Sequence, residues 1–177
     1  MKKFIFVPLI FLLTCLPCRA QKGEYSYPET WMQYTPALFA LAAPVVGIES
    51  RHEFAYRLLD VACTYAAQAA IVYPVKYLVR EPRPDASANN SFPSGHSAAA
   101  FAGAELIRLE YGDTWGTVFY AGALYVAAMR VAHNRHWWWD TLGGAAVGVL
   151  SAHIGDWCTE RLKLALSPSG FALCYIF

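Results

Sequence analysis

Apolar residues fall in six runs along the chain, at 4–16, 36–48, 61–79, 97–109, 115–129 and 141–156, with polar stretches between them. The pattern predicts helices over 54–78, 94–110, 115–130 and 137–157, because apolar residues recur on one face and alanine is frequent. In the first of these, Arg57, Asp60 and Gln68 are spaced among apolar neighbours. The run 36–48 carries Pro44, which would kink a helix. Residues 21–35 are polar and aromatic, with Pro28, and read as a loop. A second loop is expected over 80–91, through Glu81-Pro82-Arg83-Pro84-Asp85 and Asn89-Asn90. Beyond 166 the period changes. Pro168 and Gly170 break any helix, and Phe171, Leu173, Tyr175 and Phe177 alternate as in a strand. No internal repeat or low-complexity segment is present.

Composition narrows this to two classes. The 177 residues suit one domain; 56% are hydrophobic and only 15% charged, against about 25% charged in an average soluble domain. Disorder, collagen and a disulfide-dense miniprotein are excluded. With 14 basic and 13 acidic residues there is no basic excess, so a nucleic-acid partner is not expected. A very apolar globular domain or a small polytopic membrane protein remains. Most runs fall short of the roughly 20 residues a helix needs to cross a bilayer, and 61–79 and 115–129 come nearest. An all-α, membrane-embedded chain with a short non-helical tail is the expectation.

The amino terminus reads separately. Met1-Lys2-Lys3 is a positive n-region, 4–16 an apolar core, and Cys18-Arg19-Ala20 places small residues at a cleavage position. The expected organisation is a signal peptide (or uncleaved first helix) at 1–20, one domain over 21–166 and a tail at 167–177. Removing 1–20 leaves Cys63, Cys158 and Cys174, an odd number that makes no complete disulfide framework. Cys158 and Cys174 are the candidate pair.

Three short segments carry groups suited to phosphate. In the first, Lys76 precedes Arg83-Pro84 by six intervening residues. In the second, Pro93-Ser94-Gly95-His96, Ser94 is a good N-cap and Gly95 lets backbone approach a ligand. The helix that follows turns unpaired N–H groups and its positive dipole end toward an anion, with His96 in the first turn. In the third, five residues separate Arg130 from His136, and three separate His136 from Asp140. If helix continues through both, His136 and Asp140 share a face at i and i+4. The carboxylate can then take one imidazole proton and leave the other nitrogen free to attack. Phosphoryl transfer needs little beyond a placed nucleophile, an acid for the leaving oxygen and positive charge around phosphorus.

In order and spacing, the three segments resemble the type 2 phosphatidic acid phosphatase family, whose superfamily also holds vanadium haloperoxidases and bacterial acid phosphatases. The resemblance spans roughly residues 70–156. It implies a six-helix bundle and a phosphatase domain over 21–166. It implies His136 as the nucleophile that forms a phosphohistidine, Asp140 orienting it, and His96 as general acid. Lys76, Arg83, Arg130, the Ser94 hydroxyl and the Gly95 amide would hold the phosphate. No metal or other cofactor is implied. The expected partner is a lipid phosphate or pyrophosphate in a membrane, with the site on the outer face of the cytoplasmic membrane. One departure stands out, since Met129 occupies the place where the family usually has Ser before its Arg.

The remaining candidates are weaker. His133 is not separated from Arg130 by the five residues of the third segment and is expected to be a bystander or substrate contact. His52 and His153 match no motif. Arg80 and Asp85 flank the first segment and are candidate headgroup contacts. Trp137, Trp138 and Trp139 suit an interfacial aromatic belt or a wall of the site. Competing functions are a vanadium-dependent haloperoxidase, an acid phosphatase for soluble esters, a metal-binding or structural membrane protein using His133, His136 and Asp140, and an inactive family member.

Overall fold

The computed structural model describes residues 28–167 and 170–175, with side chains through 162. The expected signal segment at 1–20 lies outside the described residues. The helices are α1 (Pro28–Met32), α2 (Thr35–Ala42), α3 (Phe54–Val79), α4 (Gly95–Tyr111), α5 (Asp113–Ala132) and α6 (Trp138–Arg161), followed by strands β1 (Leu162–Ser167) and β2 (Gly170–Tyr175).

The all-α reading holds, with four long helices close to their expected bounds. Among the described residues, the helices match the six apolar runs only in part. The first run lies outside the described residues, and α1 forms inside the stretch 21–35 read as loop. There Glu29, Thr30 and Gln33 are buried although polar, so a hydropathy pattern does not reveal the element. The run 36–48 becomes α2 and a 3-10 turn, Ala43–Val46, because Pro44 has no N–H to continue an α-helix. The strand expected near 171–177 forms as β2. Its antiparallel partner β1, pairing Leu162 with Tyr175 and Ser167 with Gly170, was not anticipated. Cys63 and Cys158 are free thiols among the described residues, and the Cys174 side chain of the candidate pair lies outside them.

Helix α4 is the centre of the domain. Ser94 caps it, accepting the Ser97 N–H at 3.4 Å, and the chain leaves it at Gly112 with φ +85°. Ala98, Ala100, Ala102, Ala104, Leu106 and Ile107 along it are buried, and α3, α5 and α6 pack around it. Small residues on α6 let the two backbones nearly touch. A Cβ on Gly144 would stand 2.5 Å from the Ser94 carbonyl oxygen, and one on Gly148 would overlap the Ala98 carbonyl.

Successive long helices run in opposite directions. The end of α3, the start of α4, the end of α5 and the start of α6 therefore meet at one end of the bundle. At the other end an ion-pair network joins Arg51 to Asp156 and Glu160, and His52 to Glu110. Among the described residues, α3 is the one helix both long and apolar enough to cross a membrane.

Candidate active site

All eight site residues expected from sequence lie at the end where α3 finishes and α4 begins. Lys76, in the last turn of α3, extends Nζ to the Asn90 carbonyl at 2.6 Å and the Ser91 carbonyl at 3.3 Å. Arg83 donates through Nε to Asn90 Oδ1 at 3.0 Å, so one loop residue holds both cations. Ser94 is fully buried, and its backbone N–H donates to the Asp140 carbonyl at 2.9 Å, pinning the start of α4 to α6. Gly95 follows it. A Cβ there would meet only Lys76 Cε and Val72 Cγ1 at 3.9 Å, so packing within the protein does not require glycine. His96 lies one residue further on, half-buried in the first turn of α4.

Arg130, in the last turn of α5, is fully buried, and its carbonyl accepts the N–H groups of Arg135 at 3.0 Å and His136 at 3.2 Å. These bonds fold the α5–α6 connection back over the end of α5. The helix does not run through His136, as the spacing had suggested, because α6 starts at Trp138. The pair meets by capping instead. Asp140, third residue of α6, turns Oδ2 back to the Trp137 N–H at 2.8 Å, where the helix dipole favours a carboxylate. The same oxygen lies 3.4 Å from His136 Nδ1.

His136 is 2% exposed. Burial first, then the charges of Lys76, Arg130, Arg83 and His96, push its pKa down from 6.5 to about 2. Both effects favour the neutral imidazole. Around it lie three cationic side chains and one buried carboxylate, an arrangement suited to an anion of more than one charge. Among the described residues, no group of three or more His, Cys, Asp or Glu side chains could hold a metal ion.

Two loop residues escaped the sequence reading. Asn90 holds Lys76 and Arg83, as described. Ser91 is completely buried, its hydroxyl donating to Asp140 Oδ2 and lying 3.4 Å from His136 Nδ1. Neither belongs to a spaced motif, and a polar residue in a loop gives no burial signal. Glu81 was also missed. Its Oε1 accepts the Trp139 indole N–H at 2.8 Å, and burial raises its pKa, a rise the Trp139 bond opposes and Asp140 reinforces.

The flanking candidates find other places. Arg80 is exposed and stacks over the Tyr77 ring at 4.9 Å. Asp85 pairs with Arg135 at 2.9 Å on the rim. His133 pairs with the fully buried Glu29 of α1 at 2.7 Å. His52 and His153 pair with Glu110 and Glu105 at 2.7 and 2.9 Å. Trp137 and Trp139 stack with centroids 5.1 Å apart, and Trp137 Nε1 bonds the Pro82 carbonyl. Met129 is half-buried on α5, directly before Arg130.

Comparison with known proteins adds three findings. The model of the PAP2 superfamily matches residues 57–163. The chain is similar to a lipid A 1-phosphatase of Porphyromonas gingivalis, with 38% identity over 143 residues, covering 78% of this chain and 32% of the relative. The chain thus spans about a third of the length of that curated relative. Its fold is similar to the crystal structure of LpxE from Aquifex aeolicus, at TM-score 0.53 and 21% identity, covering 82% of this chain and 93% of that one.

Proposed function

The chain belongs to the PAP2 superfamily, and we propose that it is a phosphatase that removes phosphate from a lipid phosphate monoester at the site around His136. The observation that carries the reading is the His136–Asp140 pair set among Lys76, Arg83 and Arg130. The imidazole turns Nδ1 to the carboxylate, which leaves Nε2 for phosphorus. The similarity to a lipid A 1-phosphatase makes a lipid A phosphate the first substrate to try; a lipid pyrophosphate fits the same cradle.

His136 Nε2 attacks phosphorus in line. The bond from phosphorus to the lipid oxygen breaks, and His96 gives that oxygen its proton. Water then attacks the phosphohistidine with His96 as base, releasing inorganic phosphate and restoring the imidazole. Lys76, Arg83 and Arg130, with the Ser94 hydroxyl and the Gly95 N–H at the helix start, hold the phosphate oxygens. On this reading no metal takes part, and residues 21–166 form the phosphatase domain.

A bilayer setting is supported by outward-facing Leu58, Tyr73, Leu78, Leu124, Leu142 and Leu150, each large and exposed, and by the apolar length of α3. Trp138, 60% exposed beside the site, suits the headgroup boundary. We place the site on the outer side of the cytoplasmic membrane. A positively charged amino terminus held inside puts the ends of α3 and α5 outside.

The test is phosphate release by purified protein from lipid A, phosphatidic acid, phosphatidylglycerol phosphate and undecaprenyl pyrophosphate, for wild type and His136→Ala. Release from one lipid, lost in the variant and unaffected by chelator, is expected. Equal release by His136→Ala, or none by wild type from any lipid, overturns the reading.

A further inference from the structure

Ser91 stands outside all three spaced segments, yet it touches residues of the first and the third. Its hydroxyl donates to Asp140 Oδ2 and lies 3.4 Å from His136 Nδ1. Its carbonyl accepts Lys76 Nζ at 3.3 Å, and its N–H donates to the Glu81 carbonyl at 2.9 Å. The residue has no exposed surface.

A serine hydroxyl has one proton and two lone pairs. In this structure the proton is committed to Asp140, so the hydroxyl meets His136 as an acceptor. Asp140 Oδ2, also 3.4 Å from Nδ1, is an acceptor too. Nδ1 therefore faces two oxygens that can only receive a hydrogen bond. The tautomer with its proton on Nδ1 is favoured, and the other would set three lone pairs against one another. Both separations are long for hydrogen bonds, as is common before substrate binds, and leave room to tighten.

We infer that Ser91 is a positioning residue for His136. By donating to Asp140 it is fixed as a second acceptor for Nδ1–H, and so keeps the Nε2 lone pair available for phosphorus. The inference rests on the proposed phosphatase reading for its kinetic consequence but not for its structural one. The carboxylate alone then holds the imidazole less well, because a ring tethered to one acceptor can rock and exchange tautomers.

The experiment uses the full chain in detergent, labelled with 15N-histidine, the His136 signals being assigned by their loss in His136→Gln. Wild type is expected to show a protonated Nδ1 and an unprotonated Nε2. Ser91→Ala should move both resonances toward the tautomer average, and Ser91→Thr, which keeps the hydroxyl, should restore them. In turnover, Ser91→Ala should lower kcat about 10- to 100-fold, the scale of one hydrogen bond to a charged group. KM and inhibition by inorganic phosphate should change by less than about 2-fold, since the cations that hold phosphate are untouched. Ser91→Thr should recover most of kcat. A wild-type Nε2–H tautomer, or Ser91→Ala resonances equal to wild type, overturns the inference. So does a kcat loss matched by an equal loss of phosphate inhibition and not rescued by threonine. If wild type releases no phosphate from any lipid, the phosphatase reading fails, and the tautomer measurement still decides the role of Ser91.

Discussion

The contact between α4 and α6 sets the site geometry, and Gly144→Ala tests it. The new Cβ would lie 2.5 Å from the Ser94 carbonyl oxygen, 3.1 Å from Ser97 Cβ and 3.2 Å from the Ala98 nitrogen. Ordinary contact begins at 3.4 Å, so the two backbones must part by about 0.9 Å, and no flexible side chain is there to yield. The bond strained most directly is Ser94 N–H to the Asp140 carbonyl, now 2.9 Å. Overpacking of this kind costs roughly 1–3 kcal/mol, a Tm lower by about 2–10 °C. A displacement near 1 Å at reacting groups costs on the order of 100-fold in rate. The control is Gly155→Ala, eleven residues and about 16 Å further along α6, where a Cβ would overlap Thr64. Tm and phosphate-release kcat are measured for both variants. The expected result is similar destabilisation in both and a large loss of kcat only in Gly144→Ala. Equal kcat losses would refute the claim that the α4–α6 spacing near Ser94 positions the site. Wild-type kcat in a destabilised Gly144→Ala would refute it as well.

Two further predictions concern the histidines. His96→Ala should lower phosphate release by orders of magnitude for a lipid alkoxide, and much less for p-nitrophenyl phosphate, whose leaving group needs no proton; equal losses on both substrates would remove His96 from the role of acid. The pKa of His136 is depressed on folding, from 6.5 to about 2, so the unfolded chain takes up its proton first as pH falls. Stability from this residue is thus complete above pH 6.5 and is lost as pH falls toward about 2. The slope approaches 1.4 kcal/mol per unit, or about 2 kcal/mol between pH 7.5 and pH 5. His136→Gln should flatten the dependence of Tm on pH in that window by the corresponding amount; parallel curves would contradict the neutral, buried imidazole.

The four long helices and the eight residues at their meeting point were legible because each rests on a local rule. Hydrophobic period marks α3 to α6, Ser94 carries its N-cap chemistry on its face, and fixed spacing picks His136 over His133. What escaped depends on contacts distant in sequence. Helix α1 is buried through Glu29 and His133, a pair 104 residues apart, and its residues look like loop when read alone. Ser91 reaches Asp140 across 49 residues. The helical i, i+4 geometry assumed for His136 and Asp140 gave the right neighbours for the wrong reason. The carboxylate reaches back as a cap over a non-helical turn, a conformation that spacing alone cannot distinguish from a helix face.

The same charges serve two ends in the proposed reaction. Arg130 is fully buried, and Lys76 and Arg83 share the Asn90 anchor close by. Burying cations is costly unless an anion answers them, and a phosphate dianion would answer the excess of positive charge that Lys76, Arg130 and Arg83 place on His136. Until that dianion arrives, burial first and then this excess keep His136 unprotonated. When phosphate binds, the cations are neutralised and their hold on the imidazole weakens as the ring becomes cationic on forming the bond to phosphorus. Asp140 and Ser91, on the opposite side of the ring from phosphorus, accept Nδ1–H throughout. Removing one of the cations therefore has two opposed effects, weaker phosphate binding and a more basic His136. The second enters as a rise in the pKa governing the acid limb of kcat/KM, so Arg130→Gln should both raise KM and shift that limb toward neutral pH. A rise in KM with an unmoved acid limb would show that burial alone keeps His136 neutral.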